Sequence, residues 1–303
     1  MESPSPSRLP GVRGSRDLLL LSALLLAGLA LRSVRLNAPF HGLGEGEGAV
    51  YGQEFRNLHR YGLKATRGWP CDVLGRWNPG EPLEFHASHW PLPVWLNVAF
   101  QKAVDVGANP MPVWSIRALP VLCGALIPLV LWALVYRLAG RPKAWVAAWI
   151  AAILPGPVFF SQAVSAQMPL QILLSLLAAL AYLRWIERPS PGRAAALALA
   201  LASSLLTLWQ AYYLVPVLLL FHLGTQGRRL PAFPVLPVFP IIFLSSWCPS
   251  VRYRAFQTHP RETNRPAHPA NRDAQTGSDP NATAPTRSDD STIGPDPYPQ
   301  WRH

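Results

Sequence analysis

The chain has 303 residues, of which 50% are hydrophobic and only 14% charged, against roughly 25% charged in an average soluble domain. Mean hydropathy is +0.15 even though the stretch after residue 249 is very polar, which excludes an ordinary soluble enzyme and a mainly disordered chain and leaves a polytopic membrane protein. The net charge of +11 comes almost wholly from arginines. They lie between apolar runs, as in cytoplasmic loops, and form no nucleic-acid-binding motif.

Residues 1–16 carry Arg8, Arg13 and Arg16 and read as a cytoplasmic N-terminus. The run Leu18–Leu36 follows, with Arg32 and Arg35 as flanking charges at its end. It is long enough to span and shows no clear small-residue cleavage site, so 17–36 is an uncleaved first transmembrane helix and not a signal peptide. Residues 37–115 form one large loop. Within it, Val50, Tyr51, Phe55, Leu58 and Tyr61 recur at helical spacing, while Glu54, Arg56, Asn57 and Arg60 fall mostly on the other side. Gly62 suits a helix C-cap. A second apolar stretch, Trp90–Phe100, is short and interrupted by Asn97, Gln101 and Lys102. It reads as a helix lying in the membrane interface, with Trp90 and Trp95 at headgroup depth. The alternative is a true crossing, which would move Arg137, Arg141 and Lys143 to the outer face.

A bundle over 116–229 comes next, with crossings at Ile116–Val135, Ala144–Phe160, Pro169–Ile186, Ala194–Leu208 and a shorter Tyr212–Leu223. The clusters Arg137/Arg141/Lys143, Arg184/Arg188/Arg193 and Arg228/Arg229 satisfy the positive-inside rule when the 37–115 loop is extracytoplasmic. In 230–248, prolines at 231, 234, 237 and 240 oppose an α-helix. From Pro249 no apolar run remains, and 249–303 reads as a disordered tail. Its abrupt onset raises a frame change or truncated product. Cys71, Cys123 and Cys248 match no zinc or redox spacing.

Chemistry concentrates in the loop. Between Gly107 and Pro249 the one acid is Glu187, so the helices carry no acid pair for a proton relay. The loop carries seven acids from Glu45 to Asp105 and half of the histidines. Such groups can deprotonate an acceptor and hold a phosphate. Glu47 stands out in Gly44-Glu45-Gly46-Glu47-Gly48-Ala49-Val50-Tyr51: glycines give access to a ligand, and a carboxylate suits the start of the helix that follows.

The order of these motifs resembles the GT-C fold glycosyltransferases that use polyprenyl-phosphate sugars. The likeness is to the superfamily of protein O-mannosyltransferases and lipid A aminoarabinose transferases (glycosyltransferase family 39-like). Their outer motif, Asp-Glu-x-x-Tyr then Ala-Arg-Asn-Leu and Gly, is matched by Glu47, Gly48, Tyr51, Arg56, Asn57 and Gly62. Their His-Pro-Pro-Leu is matched by His89-Trp90-Pro91-Leu92. A Pro-Ser-Asp stretch is matched from Pro155 through Ser161 to Gln167. Arg117 stands at the mouth of a span. Gly48 and Gln167 replace acids that the family often carries. The likeness covers about 15–225, the N-terminal half of such an enzyme.

The resemblance implies an all-α GT-C-like bundle whose large outer first loop carries interfacial helices. It implies an inverting transferase that takes a sugar from a lipid-linked donor, with no nucleotide, to an unknown acceptor on the outer side of a bacterial-type cell membrane. Glu47 would be the catalytic carboxylate, and Arg56, Arg117 and His89 would bind the donor phosphate. Glu45, His41 and His86 would form an acceptor or metal shell, with a divalent metal as the conceivable cofactor. Membrane lipids are the other expected partners. The competing readings are a non-catalytic scaffold, a passive lipid or solute carrier, and an inactive fragment.

Overall fold

A computed structural model of the protein describes residues 15–39, 46–71, 91–107, 111–162 and 167–226, excepting the side chains of 46, 47 and 226. The tail at 249–303 and the proline-rich 230–248 segment lie outside the described residues. All regular elements among the described residues are helices: α1 Ser15–Ser33, α2 Gly46–Ala65, α3 Leu92–Ala103, α4 Val113–Ala139, α5 Arg141–Ile153, α6 Pro155–Gln162, α7 Gln167–Glu187, α8 Pro191–Leu205 and α9 Leu214–Gln226. A 3-10 turn, Trp209–Tyr213, joins α8 to α9.

By length and composition α4 and α7 can each cross a membrane, and α5 with α6 passes the same test only as a bent pair, a broken crossing or a re-entrant loop. The uninterrupted crossing expected over Ala144–Phe160 is therefore broken, with a bend of 49°. The cause is local. Proline disfavours helical backbone in the residue before it, and Leu154 accordingly leaves the helix at φ −56°, ψ 128°. The apolar run of α1 is flanked by Arg16, Asp17 and Arg32, and α8 and α9 have only 15 and 13 residues. These three fall short of a crossing by the same measure.

Helix α4 is the hub and packs against α1, α3, α5, α6 and α7. It ends at Gly140, whose φ of 84° turns the chain straight into α5. Ala144, Ala148 and Ala152 of α5 recur every four residues and are fully buried around Leu24 and Trp132. Such a stripe of small side chains lets helices approach closely. A second apolar core joins α7, α8 and α9 through Tyr182, Trp185, Leu197, Leu201 and Leu218.

Where α4 turns into α5, two ion pairs tie helix ends together: Arg141 to Asp17 at 2.5 Å, and Arg137 to Glu187 at 2.5 Å. Of the three expected basic connectors, the two within the described residues thus gather at one end of the bundle. Helices α2 and α3 and the start of α4 lie at the other.

Candidate active site

Helix α2 buries Tyr51, Glu54, Phe55 and Leu58, spaced i, i+3, i+4 and i+7. The three apolar side chains pack on Val94 and Val98 of α3 and on Ile116 of α4. Burying Phe55 and Leu58 contributes about 1.5–3 kcal/mol each. Close approach is built in, because a Cβ on Gly52 would lie 2.9 Å from Ile116 Cδ1. Gly62, expected as the C-cap, instead kinks α2 at φ 77°, ψ 168°, and the helix runs on to Ala65.

Two expectations for α2 are corrected. Glu54 and Asn57, expected on the polar side, are 1% and 2% exposed; Val50, expected on the apolar side, is 42% exposed. The burial of Asn57 has a visible reason: its Nδ2 donates to Cys71 O at 2.8 Å and ties the returning chain to α2.

In α3, Asn97 and Gln101 looked like interruptions of an apolar run. Both are fully buried. Asn97 Nδ2 donates to Ile116 O at 3.3 Å, and Gln101 Nε2 donates to Asn97 Oδ1 at 2.9 Å. Their i, i+4 spacing was the available signal; it sets one polar stripe of α3 against the start of α4. Lys102 and Trp95 remain exposed, and Trp95 Nε1 donates to Gly68 O at 2.6 Å. Leu58, Leu63, Trp95, Val98, Ala99 and Lys102 line a cavity of about 390 Å³ between α2 and α3. Its lining lacks the several converging polar groups that hold a sugar. Nearby, His59 has its pKa lowered, first by burial and then by the positive charge of Lys102.

Position 47 falls in the first turn of α2. Arg56 is half-buried on the same helix. Arg117, in the second turn of α4, has no exposed surface. Its Nη2 donates to Ala38 O at 3.0 Å and its Nη1 to Gln162 O. The guanidinium expected at the donor phosphate is thus engaged with backbone carbonyls on either side of it. His41, Glu45, His86 and His89 lie outside the described residues. Among the described residues no three His, Cys, Asp or Glu side chains converge as a metal site does. Arg32, expected as a charge flanking the first span, is fully buried.

Residues 89–250, more than half of the chain, match the family described as dolichyl-phosphate-mannose-protein mannosyltransferase. The chain belongs to this family. It is an integral membrane protein of the GT-C glycosyltransferase class, as the motif order implied. The match opens at His89 and takes in α3 to α9, including Arg117. It ends at residue 250, where the composition changes. Helix α2 and Glu47 precede it, so their assignment rests on the motif resemblance and on the packing of α2 against matched helices. No curated protein matches the chain.

Proposed function

We propose that the protein moves a sugar from a polyprenyl-phosphate donor to a hydroxyl or similar acceptor on the extracytoplasmic side of a bacterial-type cell membrane. The observation that carries this reading is the corner where α2 is held by α3 and α4. It sets the first turn of α2, with Glu47, at the bundle end opposite the basic connectors. Read by the positive-inside rule, those connectors are cytoplasmic and the α2–α3 end is outside.

The step is an inverting displacement. The Glu47 carboxylate takes the proton of the acceptor hydroxyl, and the oxygen attacks the anomeric carbon. The bond from that carbon to the phosphate oxygen breaks, and the lipid phosphate leaves with the electron pair. Arg56 and His89 meet the charge that grows on the leaving phosphate. Arg117 acts one step back, by holding the chain that enters α2. Glu45, His41 and His86 are assigned to the acceptor or metal shell; transfer that survives dialysis against a chelator removes the metal half of that assignment.

The test is Glu47→Gln in proteoliposomes supplied with a polyprenyl-phosphate sugar. Transfer should fall by about 10²-fold or more, the scale of a lost general base, with membrane insertion unchanged. An unaltered rate removes Glu47 from the chemistry.

A further inference from the structure

Arg32 lies in the last turn of α1 and has no exposed surface. Ionisable groups inside a membrane bundle are expensive and are kept where something there uses them. What faces Arg32 is the break between α5 and α6. Pro155 has no N–H, so the carbonyl of Ala151, four residues earlier, loses its helical partner. Arg32 Nη2 donates to that carbonyl at 3.3 Å. Its Nη1 donates to Ala152 O at 3.0 Å and to Gly28 O at 3.2 Å. The cation therefore also sits at the C-terminal end of α5, where the helix dipole favours it.

Helix α4 leaves room for this arrangement. A Cβ on Gly124 would come 3.0 Å from Arg32 Nε and would overlap Ser161 Oγ. Ser161 in turn donates to Pro157 O at 2.7 Å, inside α6. Beyond the bend, α6 ends at Gln162, whose Nε2 donates to Leu31 O at 2.8 Å and whose carbonyl receives Arg117. Arg117 also holds Ala38 O. The direction of α6 is thus tied to the segment that leaves α1 on its way to α2.

We propose that Arg32 is a positioning residue: it supplies the donor that Pro155 lacks, holds the α5–α6 bend, and through Gln162 and Arg117 holds Ala38, upstream of Glu47 in the chain. Its effect on transfer rests on the role proposed for Glu47; the hold on the bend does not.

The experiment compares Arg32→Met, Pro155→Ala and the double variant of the full chain in proteoliposomes. It reads thermal stability, kcat and donor KM for transfer, and the distance between spin labels at the exposed positions Val146 in α5 and Phe159 in α6, in a background without native cysteines. Arg32→Met should lower Tm and cut kcat by about tenfold or more, the scale of a small misplacement of reacting groups, with donor KM little changed. In the double variant the new N–H at 155 takes the Ala151 carbonyl. Tm should then recover while α5 and α6 straighten, the labels move apart and kcat stays low.

Recovery of kcat together with Tm would reduce Arg32 to a structural cap and overturn the proposal. A double variant no more stable than Arg32→Met would overturn the link to Pro155, and unmoved labels would overturn the hold on the bend. Should Arg32→Met fail to fold, the double variant, whose backbone is capped, carries the comparison with Pro155→Ala. Normal transfer by Glu47→Gln would sink the catalytic reading alone, because label distances and Tm do not depend on it.

Discussion

The two ends of the bundle use arginine in opposite ways. Where α4 turns into α5, Arg137 and Arg141 pair with Glu187 and Asp17, and each pair has one half-open partner: the Glu187 side chain is 42% exposed and that of Arg141 48%. At the other end Arg32 and Arg117 are closed off from solvent and spend their donors on backbone carbonyls at helix ends, before a proline and in the segment after α1. An exposed ion pair gains little because water and salt screen it. A buried guanidinium bound to carbonyls cannot be removed without leaving those carbonyls dry and unpaired. The first end carries half-open ion pairs; the second uses buried charge to fix the backbone.

The contrast is broken or sharpened by substitution. The largest stability effect should come from Arg117→Met, which strips charged donors from Gln162 O and Ala38 O. A loss of about 3–5 kcal/mol is expected from hydrogen bonds of that kind, read as a lowered unfolding midpoint in detergent micelles, with Arg117→Lys recovering part of it. Gly124→Ala should come next. Its methyl group meets Ser161 and Arg32, and overpacking of that sort costs about 1–3 kcal/mol. Arg137→Gln should lose less than about 1 kcal/mol, since its Glu187 partner is open to solvent. A loss as large as that of Arg117→Met would erase the difference between the ends.

The smallest effect is a pH dependence. His59 has a lowered pKa in the folded protein, from burial and from Lys102. The unfolded chain therefore binds the proton first. Stability should be flat above about pH 6.5 and decline as the pH drops from there through the lowered folded value. Thermal melts of His59→Gln between neutral and acidic pH should lack that part of the decline.

Much of this was legible in the chain. The spacing of Tyr51, Phe55 and Leu58 announced α2, Gly62 marked the kink within it, and the arginine clusters around Arg137 and Arg184 marked the basic end. What hydropathy missed were polar side chains whose partners are backbone atoms. Arg32 reads as a flanking charge and Asn97 as an interruption, because the carbonyls of Ala151, Ala152 and Ile116 that receive them have no signature in residue type. Glu54 fell on the wrong face because the pattern was sorted by polarity, and this corner buries polar groups. Pro155 was visible, yet the apolar run continued past it, and periodicity cannot weigh one missing N–H against several apolar side chains.

Sidedness decides whether the α2 corner can meet a lipid-borne sugar outside the cytoplasm. The direct measurement replaces exposed Lys64 and exposed Lys143 by cysteine, one at a time, in a background without native cysteines. Intact cells are then treated with a membrane-impermeant maleimide. Labelling at 64 before lysis and at 143 only after lysis is the predicted result. Protection of 64 in intact cells with labelling of 143 would place the corner on the cytoplasmic side and contradict the active-site assignment.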